Sequence, residues 1–134
     1  MQQLPTTAAQ KDDYERWKKC IQRLSSFENV YMKLSGAFSE LGDQSADEPL
    51  PVDTIVDRMK PWTQPVLDYF TPQRIMFGSD WPVCNVGGPG DEKSWGHWRD
   101  VVAEILERAK LSTEEKDRIW FGTAVEAYSL DFKG

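Results

Sequence analysis

Two short apolar runs, NVYMKLSG at 29–36 and RIMFGSD at 74–80, are the strand signals in this 134-residue chain. In the first, Val30, Met32 and Leu34 alternate with Tyr31, Lys33 and Ser35, and Gly36 ends the run. That period of two is the signature of a strand. A helical pattern precedes each run. Strands joined through a helical crossover pair in parallel. Parallel sheets have both faces covered and belong to larger assemblies. Two such strands do not make a stable sheet alone. The chain therefore takes partner strands from another chain or is a piece of a bigger domain.

The remaining elements follow from spacing. Thr7 followed by Gln10 reads as a capping box that opens a helix to about Ser25. Tyr14, Trp17, Cys20, Ile21 and Leu24 share one face of it. The acidic, turn-rich stretch SELGDQSADEPLP predicts a loop. Val52, Ile55, Val56 and Met59 mark a short amphipathic helix, which Pro61 and Pro65 interrupt before a further turn or two to Phe70. After the loop NVGGPGDEKS, the residues Trp98, Val101, Val102, Ile105, Leu106 and Ala109 have strong helical spacing. Ser112 with Glu115 opens another helix, and Thr123 with Glu126 opens a last short one. Length alone gives about one domain over residues 1–134.

Charge and composition exclude several classes. With 22 acidic against 16 basic residues the net charge is −6, which argues against nucleic acid as a partner. No apolar run approaches the roughly 20 residues that cross a bilayer. The first residues, MQQLPTTAAQKDDYERW, show no secretory h-region. Cys20 and Cys84 are too few and too far apart for a disulfide framework, so a reduced, cytoplasmic setting is expected.

The second run climbs from apolar residues into an acid, Asp80, followed at once by Trp81-Pro82 and a glycine-rich loop. In α/β folds reactive groups stand at the carboxyl ends of strands. Asp80, read as the last residue of its strand, has the position of a catalytic or metal-binding acid. It has equally the position of a turn cap, since Asp accepts backbone hydrogen bonds there. Lys33 and Ser35 lie opposite the apolar set, and if that set packs on helices they face the interior of the sheet or barrel. Lys33 either pairs with a carboxylate such as Asp80 and holds it ionised, or is a strand lysine whose head reaches water. His97, the one histidine, reads as solvated surface, because a lone His makes no zinc site. Cys84 lacks an adjacent histidine base and reads as structural. The glycines at 87, 88 and 90 lack the Lys-Ser/Thr of a phosphate loop; they let a loop fold over a site mouth. The acidic run from Asp43 to Glu48 reads as solvated.

From about Asn29 to Leu130, the stretches NVYMKLSG, RIMFGSDWPV and FGTAVEAYSL resemble the C-terminal part of the amidohydrolase-related (amidohydrolase 2) family, which includes lactonases and some decarboxylases. The resemblance implies the C-terminal portion of a TIM-type (β/α)8 barrel, with these strands the seventh and eighth. It implies that Asp80 activates water, bound to a divalent metal such as Zn2+ in the wider superfamily and without a metal in some of the lactonases. It also implies a small-molecule substrate, with Lys33, Ser35 and Trp81 on the substrate side. One departure is visible: Gly122 is followed by Thr123-Ala124, where the family often has Asn-Ala.

The family's His-x-His pair on the first strand and its further His on a middle strand have no counterpart here. The chain begins where a sixth strand would end. Two functional expectations follow. One is a hydrolase segment, active only within a full barrel of about 250 residues. The other is a non-catalytic remnant or interaction module that associates through open strand edges.

Overall fold

The structure, a computed structural model, describes residues 7–131. Helix α1 (Ala8–Ser25) opens with the expected capping box. The Thr7 hydroxyl accepts from the Gln10 amide, and the Gln10 side chain accepts from the Thr7 amide. After α1 come β1 (Met32–Leu34), α2 (Val52–Tyr69), β2 (Ile75–Phe77) and α3 (Ser94–Arg108). The chain then continues through α4 (Thr113–Asp117), a π-turn at Arg118–Gly122 and α5 (Thr123–Ala127).

The strands are parallel, as the helical crossover requires, and pair Met32 with Ile75, Lys33 with Met76 and Leu34 with Phe77. They are shorter than the sequence runs suggest: three residues each, extended by one bond from the Gly78 amide to the Leu34 carbonyl. Arg74, at the entrance to β2, donates to the carbonyls of Ser25 and Phe27 at 2.9 Å each. Those bonds tie the end of α1 to the start of the second strand.

The prolines do not divide α2, against the expectation of an interrupted pattern. Pro65 has no N–H, so the carbonyl of Pro61 loses its helical partner. The Tyr14 hydroxyl of α1 donates to it at 2.8 Å. Tyr14 and Trp17 also pack on Trp62 with ring centroids 5.0 Å apart. Buried residues on both sides of the prolines, Ile55, Val56 and Met59 before them and Val66 after, hold the helix to the core.

That core lies between α2, α3 and one face of the sheet. Trp98, Val101, Val102, Ile105 and Leu106 are all buried along α3, as their spacing predicts. Phe38, from a one-turn 3-10 helix at Ala37–Glu40, is 1% exposed and among the most deeply buried side chains.

Ser112 and Glu115 form the expected capping box for α4. Thr123 does not cap α5. It has helical φ and ψ within a helix that runs on from α4, so its amide is not an end group. Its buried hydroxyl donates instead to the Pro72 carbonyl at 2.9 Å and ties the C-terminal helix to the turn before β2. No helix among the described residues is long and apolar enough to cross a membrane.

Candidate functional site

Strand β2 ends at Phe77, so Asp80 is not its last residue but lies in the turn three residues beyond. There Asp80 has a φ of +55°, in the left-handed region that Asp tolerates better than most residues. The turn-capping role goes to its neighbour: the Ser79 hydroxyl accepts from the Trp81 amide at 3.3 Å. The Asp80 main-chain carbonyl accepts from the Cys84 amide at 3.1 Å. Its carboxylate turns the other way and faces the Lys33 ammonium, with Oδ1 3.4 Å from Nζ.

Lys33 is there because of strand alternation. Leu34 points into the core, Lys33 to the opposite face, and the parallel register sets Lys33 beside Met76. Four residues on from Met76 the chain delivers Asp80. The Lys33 and Asp80 side chains are 45% and 35% exposed, so the pair stands open to solvent at the carboxyl ends of both strands.

Two glycines make room for it. A methyl group at position 78 would sit 2.8 Å from Lys33 Cδ and 2.9 Å from Cγ, so the lysine stem lies across the bare backbone of Gly78. A methyl group at position 36 would sit 2.9 Å from Asp80 Oδ2, and Gly36 itself has a φ of +69°. Sequence reasoning used Gly36 only as a strand stop and gave Gly78 no role. The available signal was a glycine at the exit of each strand, in KLSG and in FGSD.

Of the other residues singled out, Ser35 lies partly buried one position past β1. Trp81 is 65% exposed beside the acid. His97 corrects the expectation of a solvated side chain. It is partly buried, its Nε2 lies 2.9 Å from the Leu50 carbonyl, and its ring packs on Phe38. Cys84 is buried, and that burial pushes its thiol above the ordinary value, which fits a structural residue and not a nucleophile.

The glycine loop is stitched down. Gly87 lies so close to Phe38 that a methyl group there would meet its carbonyl oxygen at 2.7 Å. Gln44 donates to the Gly87 carbonyl at 3.2 Å, and Lys93 donates to that of Ala46. The loops following β1 and β2 are thus joined to each other.

Other charge clusters tie helices. Arg108 bonds Glu104, Asp57 and Asp53, which raise its pKa, the Glu104 hydrogen bond first. Glu126 is held low by the Arg118 guanidinium and then by the Tyr31 hydroxyl.

Asp80 is a good ligand for a hard or borderline cation. Among the described residues, however, no three His, Cys, Asp or Glu side chains gather where an ion could be held. One carboxylate with an ammonium beside it does not make a metal centre, so these residues do not by themselves fit the metal that the resemblance implies. One hollow lies between α2 and α3 beside Val56, Thr63 and Ile105.

Helices alternating with parallel strands, with an ion pair near where those strands end, define a segment of the α/β class. The chain belongs to the amidohydrolase family, whose model (Amidohydrolase, of the amidohydrolase 2 type) matches residues 3–130. It is 34% identical over 121 residues to an L-fucono-1,5-lactonase of Burkholderia multivorans and 28% identical over 127 residues to an L-rhamnono-gamma-lactonase of Scheffersomyces stipitis. These matches cover 86% and 94% of this chain but 36% of each relative, so the chain spans about a third of their length. A crystal structure of an amidohydrolase from Burkholderia multivorans with bound Zn is similar to it, with a TM-score of 0.66 and 31% sequence identity. That match covers 88% of this chain and 38% of the other, and the fold seen here is therefore part of an amidohydrolase fold.

Proposed function

We propose that this chain is the part of a lactone-hydrolysing amidohydrolase that carries the general base, Asp80. The observation behind this reading is the carboxylate's orientation: it turns from the backbone of its own turn toward Lys33, at the open ends of both strands. The sugar lactonases among the relatives supply the substrate class, a small cyclic ester. In this reading β1 and β2 are the seventh and eighth strands of a (β/α)8 barrel, and the missing walls of the site come from outside these residues.

Hydrolysis of a lactone needs a nucleophilic water and a partner for the tetrahedral oxyanion. The Asp80 carboxylate takes a proton from water as its oxygen attacks the ring carbonyl. The Lys33 ammonium stands 3.4 Å away, placed to stabilise negative charge on Asp80 or on the oxyanion. When the ring C–O bond breaks, protonated Asp80 returns its proton to the leaving oxygen, and the product is the open hydroxy acid. In this reading Ser35, one position past β1, and the exposed Trp81, next to Asp80 in the chain, contact the lactone's hydroxyl groups and ring face. Asp80 is the one ligand that this chain would bring to a divalent metal such as Zn2+.

The isolated chain is inactive in this reading. A second role, association through open strand edges, is favoured by the two-stranded sheet seen among the described residues. To test the catalytic reading, the chain is compared alone and joined to the part of the Burkholderia multivorans lactonase that it leaves unmatched. Hydrolysis of L-fucono-1,5-lactone by the joined protein only is the expected result. A joined protein that folds by circular dichroism yet leaves the lactone intact contradicts the catalytic assignment. Turnover by the isolated chain contradicts its dependence on the missing segment.

A further inference from the structure

We infer that Trp98 is the positioning residue for the Lys33–Asp80 pair, acting through the carbonyl of Gly78, given the base role proposed above for Asp80. The buried Trp98 indole donates from Nε1 to the Gly78 carbonyl at 2.9 Å. On its other side, the Gly78 amide donates to the Leu34 carbonyl at 3.0 Å. Gly78 is therefore gripped from two directions, by β1 through its N–H and by α3 through its C=O.

Gly78 is also the point on which both members of the pair depend. The Lys33 stem lies against it, closer than a methyl group would allow. Asp80 follows two residues later, in a left-handed turn. A small movement of the Gly78 peptide plane thus shifts the bed of the lysine and the stalk of the acid together. A reactive pair needs that kind of support from residues whose own geometry is locked.

Trp98 is locked. Its ring meets Phe38 edge-on with centroids 5.5 Å apart, and Phe38 follows two residues after Gly36, the glycine against the Asp80 carboxylate. The preceding residue, His97, bonds the Leu50 carbonyl and fixes the loop after β1 to the same turn of α3. Adjacent side chains near the start of one helix therefore hold the exit of β2 and the far end of the loop after β1. A buried indole also needs an acceptor for its N–H, which makes the Gly78 bond a condition of the packing. Phenylalanine would supply an aromatic ring but no donor.

The test reads the geometry of the pair directly, in the full chain. In the wild type, Asp80→Asn shifts the Lys33 Nζ resonance in 15N NMR, because the ammonium loses its carboxylate. In Trp98→Phe, Asp80→Asn shifts it far less. A core variant remote from Gly78, Ile105→Val, keeps the wild-type response, which separates positioning from general loosening of the fold. If Trp98→Phe does not fold, ligation of a synthetic segment beginning at Cys84 places benzothienylalanine at position 98. That side chain keeps the bicyclic shape and lacks only the donor. An Asp80-dependent shift that persists in the folded Trp98→Phe protein or its benzothienyl counterpart overturns the positioning role while leaving the pair intact. A wild-type Lys33 resonance indifferent to Asp80→Asn overturns the pair itself, and the positioning role with it.

Discussion

Asp80→Asn, placed in the joined protein, lowers kcat for lactone hydrolysis by about 10²- to 10⁴-fold, the usual contribution of a positioned general base. The substitution isolates the charge. Asn tolerates the left-handed backbone that Asp80 adopts at φ +55°, so the turn survives. The carboxylate does not cap that turn, because Ser79 does. Lys33 loses its partner but is 45% exposed, and water can solvate the ammonium. The thermal midpoint should therefore barely move while turnover collapses. Steady-state kinetics beside a melting curve checks both; a variant that keeps its rate removes Asp80 from the mechanism.

Phe38→Ala destabilises the chain by about 3–5 kcal/mol, the range for deleting a fully buried aromatic ring. Domains are stable by roughly 5–15 kcal/mol, so the loss is a large share of the total. Phe38 is 1% exposed and packs on Trp98 and His97, and its carbonyl lies against Gly87. Removing the ring takes away the surface on which the start of α3 and both strand-exit loops rest. Urea unfolding measures the effect. A midpoint close to that of the wild type would show that the loops are held by their polar contacts alone.

Phe38 also marks where sequence reading stops. Spacing finds α3 because five of its buried side chains recur at helical intervals. Capping boxes find α1 and α4 because Thr7-Gln10 and Ser112-Glu115 are local and self-contained. Phe38 belongs to a single 3-10 turn, too short for any period to show. The prolines of α2 mislead for a related reason. The Tyr14 hydroxyl that takes up the freed Pro61 carbonyl is 47 residues away, and no local pattern announces it. Thr123 has the spacing of a cap, but the preceding helix continues through it, and its hydroxyl goes to Pro72.

The site was legible in part. Alternation put Lys33 on the face opposite Leu34, and the register brings it within 3.4 Å of Asp80. Strand length was not legible, because nothing in Gly78-Ser79 announces that the strand has ended at Phe77, and Asp80 falls in a turn. Nor could the indole of Trp98, 20 residues on from Gly78, be told from any other buried tryptophan.

The kinetic coupling of Lys33 and Asp80 tests most directly whether strand register makes them one working unit. In the joined protein, kcat/KM for the lactone is compared among the wild type, Lys33→Met, Asp80→Asn and the double variant. Residues that act together are non-additive. Lys33→Met should slow the wild type substantially and change the Asp80→Asn protein little. The same fold loss in both backgrounds would show that the two side chains act independently, however close they stand.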